Sequence, residues 1–254
     1  MKKFTYPLLI GLMAAALTAC GSNDEPKKAN DEDKTKAAQT EQRDQKKKME
    51  EMQKKLDKQK VDEKKTVAVV NDKKILGSEY NDILSSSQLQ MQQMGQDPTS
   101  NEAEKQIKKQ TIDTLVGQTL LLQDADKKGY KATDSEIEKD LAETKKQFND
   151  DKKFKAAMKK AGIDLAELKG QIAQNIIYKQ YVDKEIAIKE VTDKEIKDYY
   201  NQIAKQGSGS GQKPPKLEEI KPQIKKQLEQ QKKQQNIGKQ VEELKKKANV
   251  DVRV

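Results

Sequence analysis

Histidine and tryptophan are absent from this chain of 254 residues, and cysteine occurs once. Without an imidazole there is no Ser-His-Asp or Cys-His catalytic group and no His-ligated zinc or haem. With Cys20 alone no internal disulfide forms, so stability has to come from packing. Arginine is nearly missing as well: only Arg43 and Arg253 occur, and aromatic residues make up 4%. Nucleic-acid readers cluster Arg and aromatic side chains on one face. Here the net charge of +9 arises from 51 basic residues interspersed with 42 acidic ones. That pattern describes a solvated surface with at most weak attraction for anionic lipid or cell-wall polymer, and no nucleic-acid partner is expected. Neither the P-loop pattern nor G-x-G-x-x-G occurs, and Gly207-Ser208-Gly209-Ser210-Gly211 lies in a polar stretch with no strand before it. The acidic residues are spread along amphipathic segments with no apolar pocket to shift their pKa values. No catalytic group, metal or cofactor is expected.

What is present begins with an export signal. Lys2 and Lys3 precede an apolar run from Pro7 to Leu17, which is too short to span a bilayer. Leu17-Thr18-Ala19-Cys20 then resembles the lipobox of bacterial lipoproteins. The resemblance implies that residues 1–19 are a signal peptide and that Cys20 becomes a lipid-carrying N-terminus. The mature chain would then work at the extracytoplasmic face of the cell membrane. Residues 20–65 are Lys, Glu, Asp and Gln with few apolar residues, a composition that does not repay the entropy of folding, and they are expected to form a disordered charged tether. Within the tether, Met49, Met52 and Leu56 make a sparse apolar row. It has two readings, a short partner-binding helix or a transient helix in a solvated stalk.

Charged residues are 37% of the chain and hydrophobic ones 33%, which suits thin helical layers rather than one large core. Order is expected to begin at Thr66-Val67-Ala68-Val69-Val70. The one other run with strand character is Val250-Asp251-Val252-Arg253-Val254, so the two ends of the folded part should pair. Between them, Thr99–Glu102, Thr133–Glu136, Asp164–Glu167 and Thr192–Glu195 match capping boxes, with Val191 and Ile196 spaced as a hydrophobic staple. Helices are predicted over 78–94, from Thr99 to a C-cap at Gly129, and over 134–148, 164–188 and 193–204. A last long helix is predicted from Pro222 in its first turn to about Lys247, packing by Ile224, Leu228, Ile237, Val241 and Leu244. The expected fold class is mainly α, an elongated helical domain with a small β pairing of the first and last ordered segments.

These residues resemble a known family. Val67-Ala68-Val69-Val70-Asn71, Ser78-Glu79-Tyr80, the run Leu115–Ala125, Gly129 and the Thr133-Asp134-x-Glu136-Ile137 cap are similar to the N-terminal chaperone domain of SurA- and PrsA-type foldases. Val191-Thr192-Asp193-x-Glu195-Ile196 with Tyr199-Tyr200 is similar to the family's helix leading into its catalytic domain. Lys216 to Val254 is similar to the segment that returns from that domain. The resemblance implies a chaperone domain over 66–206, a linker at 207–216 and a returning C-terminal helix and strand over 217–254. In PrsA-type proteins a parvulin isomerase domain, whose site uses histidines, lies between those two pieces. Here the place holds only Gln206 to Pro215, so isomerase activity is not implied.

The implied function is a membrane-anchored holdase or foldase for unfolded or newly exported proteins. The alternative is a structural or assembly lipoprotein with one fixed partner. Holding extended polypeptide needs adaptable apolar contacts, which Met supplies. Candidate peptide-binding residues are Leu89, Met91 and Met94, with Phe148, Phe154, Met158, Tyr178 and Tyr181 as walls. Each of these either lines the cleft or fills the thin core.

Overall fold

The computed structural model describes residues 46–148, 150–208 and 215–254. The signal peptide, Cys20, most of the tether and the centre of the linker lie outside them. The chain divides into two units, Met1–Glu50 and Glu51–Val254, and the described end of the first is helical. Helix α1 covers residues 46–58. It is followed by β1 (Thr66–Val70), β2 (Lys73–Leu76), α2 (Gly77–Gln93), α3 (Asn101–Lys127), α4 (Asp134–Lys146) and α5 (Asp151–Ala161). The chain then forms α6 (Leu165–Glu185), α7 (Asp193–Ser208), α8 (Leu217–Lys245) and β3 (Val250–Val252).

The expected pairing of the ends is present. The sheet runs β2-β1-β3, all antiparallel, with Ala68 opposite Val252 and Val70 opposite Val250. Asn71 locks this junction. Its φ of 54° is left-handed, a region Asn tolerates at a turn. Its amide donates to Gln123 Oε1 on α3 at 2.6 Å, and its side-chain oxygen accepts from Asn249 N at 3.0 Å.

Cap chemistry accounts for most helix starts. Thr133 and Glu136, Asp164 and Glu167, and Thr192 and Glu195 exchange the reciprocal capping bonds. Val191 and Ile196 are both buried, as a staple requires. After α3, Tyr130 N bonds Ala125 O at 3.0 Å and Gly129 N bonds Asp126 O at 2.9 Å, with Gly129 at φ 82°; this is a Schellman end.

Among the described residues, four small cores replace one large one. The first joins Val67, Val70, Ile75, Tyr80, Leu84, Ile107, Leu115 and Leu120. The second joins Leu121 and Ala125 of α3 to Tyr181, Val182 and Ile186, with Ile237, Val241 and Leu244 of α8 packed on it. Leu141, Phe154, Ile172 and Ile176 form the third. Val191, Ile196 and Ile224 form the fourth. Helices α3 and α6 each contribute to two of these cores and α8 to three, so the long helices tie them together.

Several expectations are corrected. The tether does not extend to residue 65: Leu56 is buried, Val61 packs on the first core, and Asn81 bonds both the N–H and the C=O of Val61. Gly77 permits this approach, because a Cβ there would lie 1.9 Å from Asp62 O. The second strand β2 was not expected, since Lys73-Lys74 reads as polar; only Ile75 faces the core. Nor was α5 expected, with Phe154 as its single buried residue. Ser100, not Thr99, caps α3, because Thr99 instead bonds Asp97. Helix α7 runs to Ser208 rather than Ala204, and α8 starts at Leu217, leaving Pro222 inside it rather than at its first turn. Of the five apolar residues expected along α8, Ile224 is buried while Leu228, Ile237, Val241 and Leu244 are half-buried.

Candidate functional site

The eight peptide-binding candidates do not converge on one cleft. Leu89 and Met94 project from the end of α2 with 55% and 60% of their surface exposed. Met91, one turn away, faces the opposite side and is buried in the first core. Phe154 is buried in the third core, with Phe148 edge-on to it at 5.5 Å and Met158 packed beside them. Tyr181 is fully buried in the second core, and Tyr178 is half-buried at its margin. Met91, Phe154 and Tyr181 are therefore core residues, inaccessible to a ligand in this conformation.

Of the eight, Tyr178 opens onto a groove. Helices α3, α6 and α8 cross there and leave a space of about 570 Å³. Leu121, Tyr178, Ile237 and Val241 supply its apolar lining, and Gln106, Gln110, Gln118 and Gln234 place carboxamides around them. The groove exists because α8 returns across α3, an arrangement fixed by a polar tie beneath the apolar contacts. The Tyr181 hydroxyl donates to Asp124 Oδ2 at 2.6 Å and accepts from Gln240 Nε2 at 3.1 Å, joining α6, α3 and α8. Along α8, Lys232 donates to Glu190 O and Glu195 Oε2, Asn236 donates to Ala187 O, and Lys233 pairs with Asp183.

Charge and burial both show in the groove's titratable groups. At the groove rim, the Lys109 ammonium 2.6 Å away, helped by Lys245, holds the Asp113 carboxyl below the usual carboxylate range. Burial pushes the Tyr178 phenol up, away from neutrality. No set of three or more potential metal ligands clusters among the described residues. Carboxamides can donate to and accept from a peptide backbone, and the apolar lining can take varied side chains. A second hollow of about 470 Å³ lies beside Val61, Tyr80, Leu84 and Val254, and a third of about 320 Å³ beside Leu115, Leu122 and Ile177. Sequence reasoning missed the carboxamides because each Gln is unremarkable on its own helix.

Comparison with known proteins agrees with this architecture. The model of the SurA-like N-terminal domain matches residues 56–182, half of the chain. The chain is 28% identical to the foldase protein PrsA of Caldanaerobacter subterraneus subsp. tengcongensis over 144 residues, which are 54% of this chain and 42% of that protein. It is 27% identical to the chaperone SurA of Alcanivorax borkumensis over 134 residues, 52% of this chain and 30% of that one. A PrsA foldase of Clostridium botulinum matches at 28% over 149 residues, 54% of this chain and 44% of the relative. The chain thus spans less than half the length of the curated relatives it matches. The matched region starts at Leu56, where packing also starts. The chain belongs to the SurA-like N-terminal domain family.

Proposed function

We propose that this chain is a lipid-anchored, extracytoplasmic chaperone that holds unfolded or newly exported polypeptides without prolyl isomerase catalysis. The observation that carries the proposal is the α3/α6/α8 groove, where apolar and carboxamide side chains meet. Relatives named foldase and chaperone support the same reading. The Leu17-Thr18-Ala19-Cys20 motif supports the anchor, and Cys20→Ser should release the chain from membranes. No helix among the described residues is long and apolar enough to cross a membrane. Between α7 and α8 only residues 209–216 intervene, too few for an inserted catalytic domain.

The test is aggregation of two unrelated, chemically denatured proteins, followed by light scattering. The full chain should slow both. Ile237→Glu, which places a charge in the groove lining, should weaken protection of both while the cooperative unfolding transition persists. If neither client is protected and one envelope protein co-purifies in fixed proportion, the chain serves a single partner and the proposal fails.

A further inference from the structure

Among the described helices, α5 stands apart in how its charges lie. Phe154 is buried and Met158 and Ala157 are half-buried, so these three residues make the packed face. The other side carries Lys152, Lys153, Lys155, Lys159 and Lys160 around Ala156, all exposed. At about 100° per residue the five lysines cover roughly 160° of the helix circumference with no acid among them. Elsewhere lysines alternate with Asp and Glu, as in Glu218, Glu219, Glu229, Glu242 and Glu243 along α8.

The acids closest to α5 in sequence are already engaged. Asp150 caps the helix by accepting from Lys153 N, and Asp151 pairs with Lys155 at 2.8 Å. Asp164 caps α6 together with Glu167. Among the described residues no acid lies within ion-pair distance of Lys152, Lys153, Lys159 or Lys160. Between Lys145 and Leu165 seven lysines face three acids.

We propose that the outer face of α5 is a docking surface for an anionic phospholipid bilayer. The chemistry is that of a polybasic amphipathic helix: lysines are compact, strongly hydrated point charges suited to a diffuse plane of phosphate. The shape favours a bilayer over a soluble anionic polymer. The lysines stand on the convex face of a helix with no groove to follow a single chain, so a flat charged surface meets more of them at once. Such contact would hold the α4-α5 end of the protein at the membrane and leave the α3/α8 groove free.

The test reads this face locally and does not depend on lipidation. In the full chain carrying Cys20→Ser, Ala156→Cys is labelled with an environment-sensitive fluorophore, and Gln231→Cys on α8 serves as the control position. Vesicles with about 30% phosphatidylglycerol at low salt should shift the emission at 156, with little effect at 231, and pure phosphatidylcholine or high salt should abolish the shift. Replacing Lys152, Lys153, Lys159 and Lys160 with Gln should raise the half-saturating lipid concentration at least about tenfold, since each lysine near an anionic surface is worth roughly fivefold in affinity. The same four positions changed to Arg should bind as the parent does. None of these four side chains has an ion-pair partner among the described residues, and all four are exposed, so the Gln variant should keep its unfolding transition. Equal shifts at 156 and 231, a shift on neutral vesicles, or a response to soluble poly(glycerol phosphate) but not to vesicles would each overturn the proposal.

Discussion

Tyr181→Phe is the sharpest perturbation of the tie that holds α8 across α3. The ring of Tyr181 is fully buried and stacks edge-on against Tyr130 at 5.8 Å, so Phe keeps the packing and removes only the hydroxyl. That hydroxyl serves a carboxylate and a carboxamide at once. A hydrogen bond to a charged partner contributes about 1.5–3 kcal/mol. For a folded region of this size the loss should lower the midpoint of thermal unfolding by roughly 3–12 °C. The dependence on pH gives a second signature. Burial, reinforced by the bond to Asp124, raises the Tyr181 phenol above its ordinary value of 10.0. A value raised in the folded state means that the stabilisation is fully present below 10.0 and is lost as the pH rises through the folded value. Unfolding followed by circular dichroism between about pH 8 and 11 should therefore show a steeper decline for the parent than for Tyr181→Phe. Tyr178→Phe is the control, since its hydroxyl has no partner among the described residues, and its change should stay within about 0.5 kcal/mol. Equal stability of parent and Tyr181→Phe would refute the view that this tie fixes α8.

Truncation at Gln206 should be severe. Ile237, Val241, Leu244, Val250 and Val254 are half-buried against the first two cores, and together they contribute on the order of 4–8 kcal/mol, comparable with the whole net stability of a domain. Cooperative unfolding should be lost and then return when a peptide covering 213–254 is added; a melt unchanged by truncation would show that this segment is independent. At the start of α7, the Thr192 N–H, the Lys232 ammonium and the Thr192 hydroxyl hold the Glu195 carboxyl down at about 2. A value lowered in the folded state gives stability that is present above the ordinary 4.5 and is lost as the pH falls toward 2. Glu195→Gln should accordingly flatten part of the acid limb of a urea-midpoint-against-pH profile, and an unchanged limb would remove Glu195 from the account.

Much of the fold was legible without coordinates because its signals are local. A capping box is a contact between residues three apart, and Thr133, Asp164 and Thr192 announce their helices from four residues each. The pairing of the two Val-rich ends could be inferred by elimination, since a strand needs a partner. Where the reading failed, the stabilising contact was remote. Lys73-Lys74-Ile75-Leu76 is polar by composition and becomes a strand because β1 is beside it. Helix α5 offers only Phe154 and Met158 to a core and is held by α4 and α6. The tether was placed ten residues too far along, because Leu56 finds its apolar surface on the first core only after folding.

Helix α6 shows what sequence alone does not decide. Ile172 and Ile176 point one way and Tyr181 and Val182 roughly the other, at about 100° per residue, so no single apolar stripe marks which face is inside. That choice belongs to α8, which returns from far along the chain. The same return turns Tyr178 into a groove wall and buries Tyr181, though the two are three residues apart. Sequence by itself determined that the protein is helical, that its ends pair and that it carries no imidazole or disulfide chemistry, because composition and caps act on the residues that hold them. Tertiary structure decided which apolar residues are core and which remain exposed, because burial depends on where distant helices cross.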